Sequence, residues 1–209
     1  MLIWLVLIPL IAAALIGLCK APARPTALLS ASLTLALGIW ALVSFDGCSS
    51  CWSRFEGMDL QLTLAPALSK VMLLLTILVT FATVLGTNPP QGGEASWYNS
   101  ALLISAGATG AFLSDNIISF FAFHELALIP TFVMIGLYGR GDRRTTAWRA
   151  TLYLGLASMV LLAALLMIGT QAGFTFSGLK DFMASGRELA HAELIGALLI
   201  AGFGTLISL

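Results

Sequence analysis

The sequence predicts an all-α fold, a polytopic bundle of transmembrane helices. Hydrophobic residues make up 59% of the 209 residues, and the 10% that are charged sum to a formal net charge of zero. Several uncharged stretches have about the 20 residues that a helix needs to cross roughly 30 Å of hydrocarbon. We therefore expect an integral membrane protein in contact with the lipid bilayer. The neutral charge and the lack of a basic patch argue against nucleic-acid binding.

The first three predicted helices are separated by a short break and a longer polar loop. Pro22 and Pro25 interrupt the first connection because proline lacks the backbone N–H that a helix uses. Residues 46–66 are predicted to form an extracytoplasmic loop, in which the alternation from Gln61 to Leu64 favours a short strand. These helices are expected at residues 2–18, 27–45 and 67–86.

The remaining four helices are bounded by polar or glycine-rich turns. The loop Asn88–Gly93 ends the third helix, and Gly139–Arg144 and Gly173–Glu188 form the last two connections. Ser114-Asp115 is a tight turn, in which Asp115 is the predicted N-cap of the fifth helix. These helices are expected at residues 97–113, 116–138, 146–170 and 192–209, which gives about seven helices in a single transmembrane domain.

The lysines and arginines predict the orientation in the membrane. Six of the ten lie on the side of the first, third and fifth connections, and four lie on the other side. The dense cluster from Arg140 to Arg149 places the fifth connection in the cytoplasm by the positive-inside rule. The N-terminus and the loop at residues 46–66 then face outward. We expect a bacterial inner membrane protein whose first helix is retained, because Met1 is not followed by a basic segment typical of a cleaved signal.

The cysteines and histidines do not predict a cofactor site. Cys48-Ser-Ser-Cys51 either forms a local disulfide or stays as two free thiols, and Cys19 lies near the end of the first helix. Two cysteines do not complete a metal site, and the sequence has no glycine-rich nucleotide or phosphate motif. We therefore expect no cofactor, no metal and no redox chemistry in this chain.

Glu125 is the most informative residue, because it lies in the middle of the apolar run from Asn116 to Tyr138. It follows Asn116 by nine residues, about 13 Å along a helix, and so lies near mid-membrane. A charged residue at that depth costs on the order of 2.5–3.5 kcal/mol on insertion scales. Hydrocarbon disfavours the charged form of a carboxyl group. Glu125 is therefore either a proton-transfer site or a neutral acid bonded to a neighbouring helix.

Three other residues are candidates for the same site. Pro130 frees a backbone carbonyl one turn earlier, which favours local water, although prolines are also common in membrane helices. His124 is either a proton carrier or a packing donor, and it points about 100° away from Glu125 around the helix. Arg149 is either a charge partner or an anchor at headgroup depth.

Small and polar residues predict helix packing elsewhere. Gly107 and Gly110 lie three residues apart in the fourth predicted helix. Thr205 and Ser208 share a face with Gly202 in the last one. Such faces usually pack against another membrane helix, and the second one could also line a wet path.

The motif around Glu125 is similar to one known family. A phenylalanine-rich half-helix from Ser114 is followed by Glu125-Leu, then Leu-Ile-Pro130, then Ile-Gly-Leu-Tyr-Gly139. This stretch resembles the antiporter-like subunits of respiratory complex I, most of all the subunit called chain M in bacteria and chain 4 in mitochondria. The resemblance extends over about residues 97–209.

The resemblance implies a membrane-arm subunit of a proton-translocating NADH:quinone oxidoreductase, with an antiporter-like inverted-repeat fold and other membrane subunits as partners. Glu125 matches the glutamate that works in this family with a lysine on the seventh helix. Leu206 stands at the position of that lysine, after Gly202-Phe-Gly-Thr. The apolar run reaches Leu209 before the first repeat is complete, so either another polypeptide supplies the rest or the subunit is structural.

Two alternative functions are kept. The chain could instead be a subunit of a multi-subunit cation/proton antiporter or a membrane-bound hydrogenase, which share the motif of the fifth helix. It could also be a non-pumping structural subunit that lacks the lysine of the seventh helix. In every case the resemblance implies part of a larger translocase or membrane complex.

Overall fold

The computed structural model describes residues 2–44, 49–55, 58–64, 67–89 and 92–207. Across these residues the chain forms eight α-helices and one β-hairpin, which confirms the predicted all-α transmembrane fold class. Four helices are long and apolar enough to cross a membrane, namely α2, α3, α5 and α6 in the numbering below. The elements in chain order are α1 (Ile3–Cys19), α2 (Ala23–Ser44), β1 (Ser49–Phe55), β2 (Met58–Thr63), α3 (Ala67–Gly86), α4 (Glu94–Leu113), α5 (Ile117–Tyr138), α6 (Arg143–Ala172), α7 (Phe176–Ala184) and α8 (Ala192–Leu206).

Helix α7 is the element that the apolar pattern missed. It has nine residues, too few to cross a bilayer, and lies within the connection expected at Gly173–Glu188. Thr175 caps it by accepting a hydrogen bond from the N–H of Gly178 at 3.1 Å. The described residues therefore form eight helices rather than the predicted seven, because α7 lacks the long apolar run by which a spanning helix is recognised in a sequence.

Three helices begin earlier than their apolar segments indicated, and one of them is α4, which begins at Glu94 rather than at residue 97. Helix α2 begins at Ala23 rather than at residue 27, and Pro25 occupies its first turn. Proline is tolerated there because the first N–H groups of a helix have no partner within the helix. Helix α6 begins at Arg143 rather than at residue 146, because Asp142 caps it by accepting from the N–H of Thr145 at 3.3 Å.

The connections at one end of the bundle are joined through the backbone. The strands β1 and β2 pair antiparallel in a hairpin, where the sequence had indicated one short strand. Leu62 of β2 forms a bridge with Ser114, and Asn116 forms a second bridge with Thr175. The turn between α4 and α5 is therefore held between the hairpin and the segment that precedes α7.

Helix α4 is the centre of the bundle and positions α5. It packs against α1, α2 and α3 on one side and against α5 on the other, while α6 packs against α5 and α8. A Cβ at Gly107 would lie 2.7 Å from the backbone of Phe123 and Ala127, so the absence of a side chain lets α4 and α5 approach closely. At the other contact, Gly202 of α8 lies against Leu161 of α6. Both glycine positions pack as the sequence predicted.

Candidate functional site

The start of α5 is set by Asn116, one residue later than predicted. The side chain of Asn116 accepts hydrogen bonds from the N–H groups of Ile118 and Ser119 at 2.9 and 3.3 Å. Asp115 does not cap this helix. Its carboxylate instead accepts from the hydroxyl of Ser177 at 2.7 Å and from the N–H of Ser177 at 3.2 Å, and so binds the start of α7. Asparagine and aspartate cap helices about equally well, so the sequence alone did not separate the two.

Helix α5 is apolar yet poorly covered. Among its described residues only Ile117 and Pro130 are fully buried, although its 22 residues are long enough to span a bilayer. Glu125 lies in the middle of this helix with 35% of its side chain exposed. In contrast to the rest of the side chain, the Oε1 atom of Glu125 is completely buried, and it has no hydrogen-bond partner among the described residues. An unsatisfied buried acceptor of this kind is unusual in a folded protein and requires an explanation.

His124 is in contact with Glu125. Its Nδ1 lies 3.7 Å from Oε1 of Glu125 and, like that oxygen, is buried without a hydrogen-bond partner in the described part of the chain. The imidazole lies near the rings of Phe120 and Phe121, with centroid distances of 6.3 and 6.4 Å. Neighbouring residues point about 100° apart around a helix, but both side chains are long enough for these two atoms to approach to 3.7 Å.

A cavity of about 140 Å³ opens beside Glu125, between α5 and α6. This volume has room for several water molecules. Pro130 lies five residues further along α5, and it leaves the carbonyl of Leu126 without its usual helical donor. The cavity walls are mostly apolar apart from Glu125 and Thr151, and they are formed by Glu125, Leu128, Ile129, Phe132, Ile135, Ala150, Thr151, Leu154 and Gly155.

Arg149 is not brought to the carboxylate. Its side chain is exposed and forms no ion pair with a described residue, although Ala150 and Thr151 beside it line the cavity. Trp148, which is 56% exposed, has its ring 6.3 Å from that of Phe132. The role of Arg149 as a charge partner therefore stays a prediction.

Leu206 packs as an apolar side chain. It is half-buried against the cluster that contains Ile117, Leu161 and Ile195. Thr205 donates its hydroxyl hydrogen to the carbonyl of Ala201 at 2.7 Å, as hydroxyls in membrane helices commonly do. Ser208 lies outside the described residues, as does Cys48, so the wet path and the disulfide with Cys51 stay predictions.

Sequence reasoning missed two kinds of polar feature. Thr151 was not recognised as a neighbour of Glu125, because only the packing of α6 on α5 reveals it. Ser30 and Thr109 have buried hydroxyl oxygens without partners in the described residues, and threonines and serines are too frequent in membrane helices to be a signal.

A larger, open groove of about 850 Å³ lies between the end of α1 and the start of α4, but it contains none of the predicted site residues. The described residues contain no cluster of His, Cys, Asp and Glu able to hold a metal ion.

The comparisons with known proteins concern the bundle and its proline-containing α5. Residues 114–209 match the model of the family described as NADH:quinone oxidoreductase/Mrp antiporter, TM. The matched region begins at the turn before α5 and contains Glu125, His124, Pro130 and Arg149. The resemblance predicted from the sequence motif is thereby confirmed over residues 114–209, and the apolar helices are those of an integral membrane protein.

Curated relatives extend the resemblance beyond the matched region. The F(420)H(2) dehydrogenase subunit M of Methanosarcina mazei is 25% identical over 168 residues, which are 76% of this chain and 34% of the relative. The NAD(P)H-quinone oxidoreductase chain 4 2 of Microcystis aeruginosa is 28% identical over 134 residues, 61% of this chain and 24% of the relative. The chain thus spans about a third or less of the length of these relatives.

Solved structures share the fold. A chain of respiratory complex I from Thermus thermophilus matches with a TM-score of 0.80 and 24% identity, over 100% of this chain and 43% of that chain. A chain of the Mrp complex from Dietzia sp. DQ12-45-1b matches with a TM-score of 0.78 and 21% identity, over 98% of this chain and 23% of that chain. A chain of the archaeal membrane-bound sulfane sulfur reductase has the same TM-score of 0.78 at 23% identity, over 96% of this chain and 33% of that chain.

Proposed function

We propose that this chain is a membrane-arm subunit of a proton-translocating NADH:quinone oxidoreductase, and that Glu125 transfers protons driven by quinone reduction elsewhere in the complex. The observation that carries the proposal is the carboxyl group of Glu125. Its Oε1 is buried and unpartnered among the described residues, in the middle of the helix that opens the family match. Ionisable residues inside transmembrane helices are rare and usually belong to ion or proton pathways.

The surroundings of Glu125 support proton exchange with water. The cavity between α5 and α6 gives the carboxyl space for water molecules, and Thr151 offers a hydroxyl on the opposite wall. Pro130 adds a backbone carbonyl without its helical donor one residue after Glu125. Proton transfer along short chains of water and polar groups requires such polar points in an otherwise apolar wall.

The partners and the location follow from the same proposal. Other membrane subunits or lipid can contact the half-exposed helix α5. They can also contact the exposed apolar side chains of α6, such as Leu152, Leu156 and Met159. We propose a bacterial inner membrane, with the N-terminus on the extracytoplasmic side. The exposed residues Arg140, Arg143, Arg144 and Arg149 then lie on the cytoplasmic side.

A second candidate is a subunit of a cation/proton antiporter or of a membrane-bound hydrogenase. The likeness to a chain of the Mrp complex favours the antiporter, and the shared fold does not separate it from the first candidate. The third candidate, a non-pumping structural subunit, is favoured by half-buried Leu206 in an apolar cluster of α6 and α8.

Replacement of Glu125 by glutamine in the assembled complex tests the proposal. Gln keeps the shape of the side chain and removes the proton-transfer group, so we expect proton transfer to slow by on the order of 10²-fold. The measurement is proton uptake by inverted membrane vesicles after addition of NADH, followed with a pH-sensitive dye. Glu193→Gln is the matched control, because Glu193 is an exposed carboxylate in the first turn of α8.

The outcomes separate the three candidates. Loss of NADH-driven proton uptake in Glu125→Gln, with normal uptake in Glu193→Gln, supports the proposed function. An uptake that responds to sodium pulses rather than to NADH in the unmodified complex would favour the antiporter. If the Glu125→Gln complex pumps as many protons per NADH as the unmodified one, this chain is a structural subunit.

A further inference from the structure

We propose that His124 and Glu125 form one proton-sharing pair, in which the imidazole passes protons to and from the carboxyl group. This inference rests on the proposed function, because it names the second residue of the same proton-transfer site. It assigns a chemical role to a histidine that lies in the middle of an apolar helix.

The geometry of the two side chains supports the pair. His124 Nδ1 and Glu125 Oε1 are 3.7 Å apart, and each is buried without another partner among the described residues. A charge-assisted N–H···O bond has a length of about 2.7–2.9 Å. A small rotation of the flexible Glu125 side chain closes this gap, and one hydrogen bond then satisfies both unpartnered atoms. Two neighbouring buried atoms that lack partners separately are therefore best explained as partners of each other.

Aromatic rings restrict where the imidazole can go. The ring of Phe120 lies 6.3 Å from that of His124 with 25° between their planes, and the ring of Phe121 lies 6.4 Å away at 31°. Phe120 is in turn held by Phe176 of α7, at 5.8 Å and nearly perpendicular. The imidazole is therefore kept on the side of α5 where its Nδ1 faces the carboxyl of Glu125.

Other charged groups do not compete for the pair within the described residues. The elements packed on α5 carry their charged or titratable side chains elsewhere, and none of these forms an ion pair with Glu125 or His124. The described side chains of β2 do not titrate, because they are Leu62 and Thr63. The charged or titratable groups on the neighbouring elements are Glu94 and Tyr98 of α4, Arg143, Arg144, Arg149 and Tyr153 of α6, and Lys180 and Asp181 of α7.

The pair solves the problem of charge inside an apolar helix. An imidazolium beside a carboxylate and a neutral imidazole beside a carboxylic acid have the same total charge of zero. A proton can therefore move from Nδ1 to Oε1 without creating an isolated charge in the low-dielectric interior, where an unpaired ion is strongly disfavoured.

The transfer proceeds in three steps with water as the other reactant. Protonated His124 gives the proton on Nδ1 to the carboxylate of Glu125, which leaves a neutral imidazole and a carboxylic acid. Glu125 then gives that proton to a water molecule in the cavity between α5 and α6, which forms a hydronium ion and restores the carboxylate. The neutral imidazole takes up the next proton from a hydronium ion, which is left as a water molecule, since 22% of the His124 side chain is exposed.

Two spectroscopic measurements on the full chain in lipid nanodiscs test the pair from both sides. The chain has two histidines, so ¹⁵N-histidine NMR gives two sets of ring resonances, and His191→Asn assigns them. Asparagine suits that control because His191 has a positive φ of 60°, which asparagine tolerates. We expect Glu125→Gln to change the ¹⁵N resonances of His124 across a pH series and to leave those of His191 unchanged.

The reverse measurement follows Glu125 by infrared spectroscopy. His124→Phe keeps an aromatic ring against Phe120 and removes both ring nitrogens. We expect the carboxyl C=O band of protonated Glu125, identified by its loss in Glu125→Gln, to move to higher wavenumber in His124→Phe because its hydrogen-bond partner is gone. In the His191→Asn control the band should stay in place.

Either measurement alone can overturn the pair. The pair is refuted if the ¹⁵N resonances of His124 are the same in Glu125→Gln and in the unmodified chain. It is also refuted if the carboxyl band stays in place in His124→Phe. Either result would mean that His124 only packs against the phenylalanines. If His124→Phe does not fold, the NMR measurement still decides. If Glu125→Gln does not fold, the shift of the carboxyl band in Glu125→Asp identifies it, and the infrared measurement decides. Neither readout depends on pumping, so an intact pair in a non-pumping complex would refute the proposed function and leave the pair in place.

Discussion

The close contact between α4 and α5 at Gly107 determines where Glu125 lies, and Gly107→Ala should disturb both stability and function. Gly107 is buried and faces the backbone of α5 at Phe123 and Ala127. These two residues flank Glu125 in the sequence by two positions on either side. A methyl group at this contact therefore acts directly on the segment that carries the carboxyl group.

The size of the effect follows from the distances. A Cβ on residue 107 would lie 2.7 Å from the Phe123 carbonyl oxygen and from the Ala127 nitrogen, whereas ordinary contacts begin near 3.4 Å. Helix α5 must then move away by about 0.7 Å, the difference between these two values. Such overpacking against the backbone costs about 1–3 kcal/mol. The gain of up to about 1 kcal/mol that alanine normally brings to a helix offsets only part of this cost.

Gly196→Ala is the matched control, because a Cβ at Gly196 of α8 meets nothing within 4 Å. It should gain up to about 1 kcal/mol from helix propensity alone. The assay is unfolding in mixed micelles with increasing SDS, followed by circular dichroism. We expect the Gly107→Ala midpoint to fall and the Gly196→Ala midpoint to hold or rise. Equal midpoints for the two variants would refute the close approach of α4 and α5.

Two further predictions concern the connections around α5. Asn116→Ala removes the acceptor for two N–H groups at the start of α5 and should lower the free energy of unfolding by about 1 kcal/mol, measured in the same SDS titration; an unchanged midpoint would exclude Asn116 as the cap. Asp115→Ala and Ser177→Ala should each speed proteolysis at α7. The double variant should be cleaved little faster than either single variant, which corresponds to a coupling free energy of about 0.5–1.5 kcal/mol between the two residues. Fully additive effects would contradict a direct Asp115–Ser177 bond.

The apolar pattern predicted the spanning helices because the bilayer imposes a length and a composition on them. The apolar pattern did not predict α7, because a helix of nine residues that does not cross the bilayer needs neither the spanning length nor the apolar composition. The capping residue of α5 was also misplaced by one position. Asp115 and Asn116 have similar capping ability, and only the fold shows that the carboxylate of Asp115 accepts a hydrogen bond from Ser177 instead.

The candidate site was predictable in part. Glu125 stands out in the sequence because an acid is rare and costly inside an apolar helix, and Pro130 because it frees a backbone carbonyl next to that acid. Arg149 had the right chemistry for a partner, but its side chain is exposed and forms no ion pair with a described residue. Thr151 had no signal of its own, because one hydroxyl on an apolar helix is common.

By itself, the sequence determined that this chain is a bundle of membrane helices with a carboxyl group in the middle of an apolar helix, and it pointed to the antiporter-like class. These conclusions depend on hydrophobic length and on a local motif, both of which are properties of contiguous residues. Only the tertiary structure decided which groups surround that carboxyl. The contact with His124 and the cavity against α6 depend on side-chain directions and on how closely the helices approach, and the small residues at distant positions such as Gly107 control that approach.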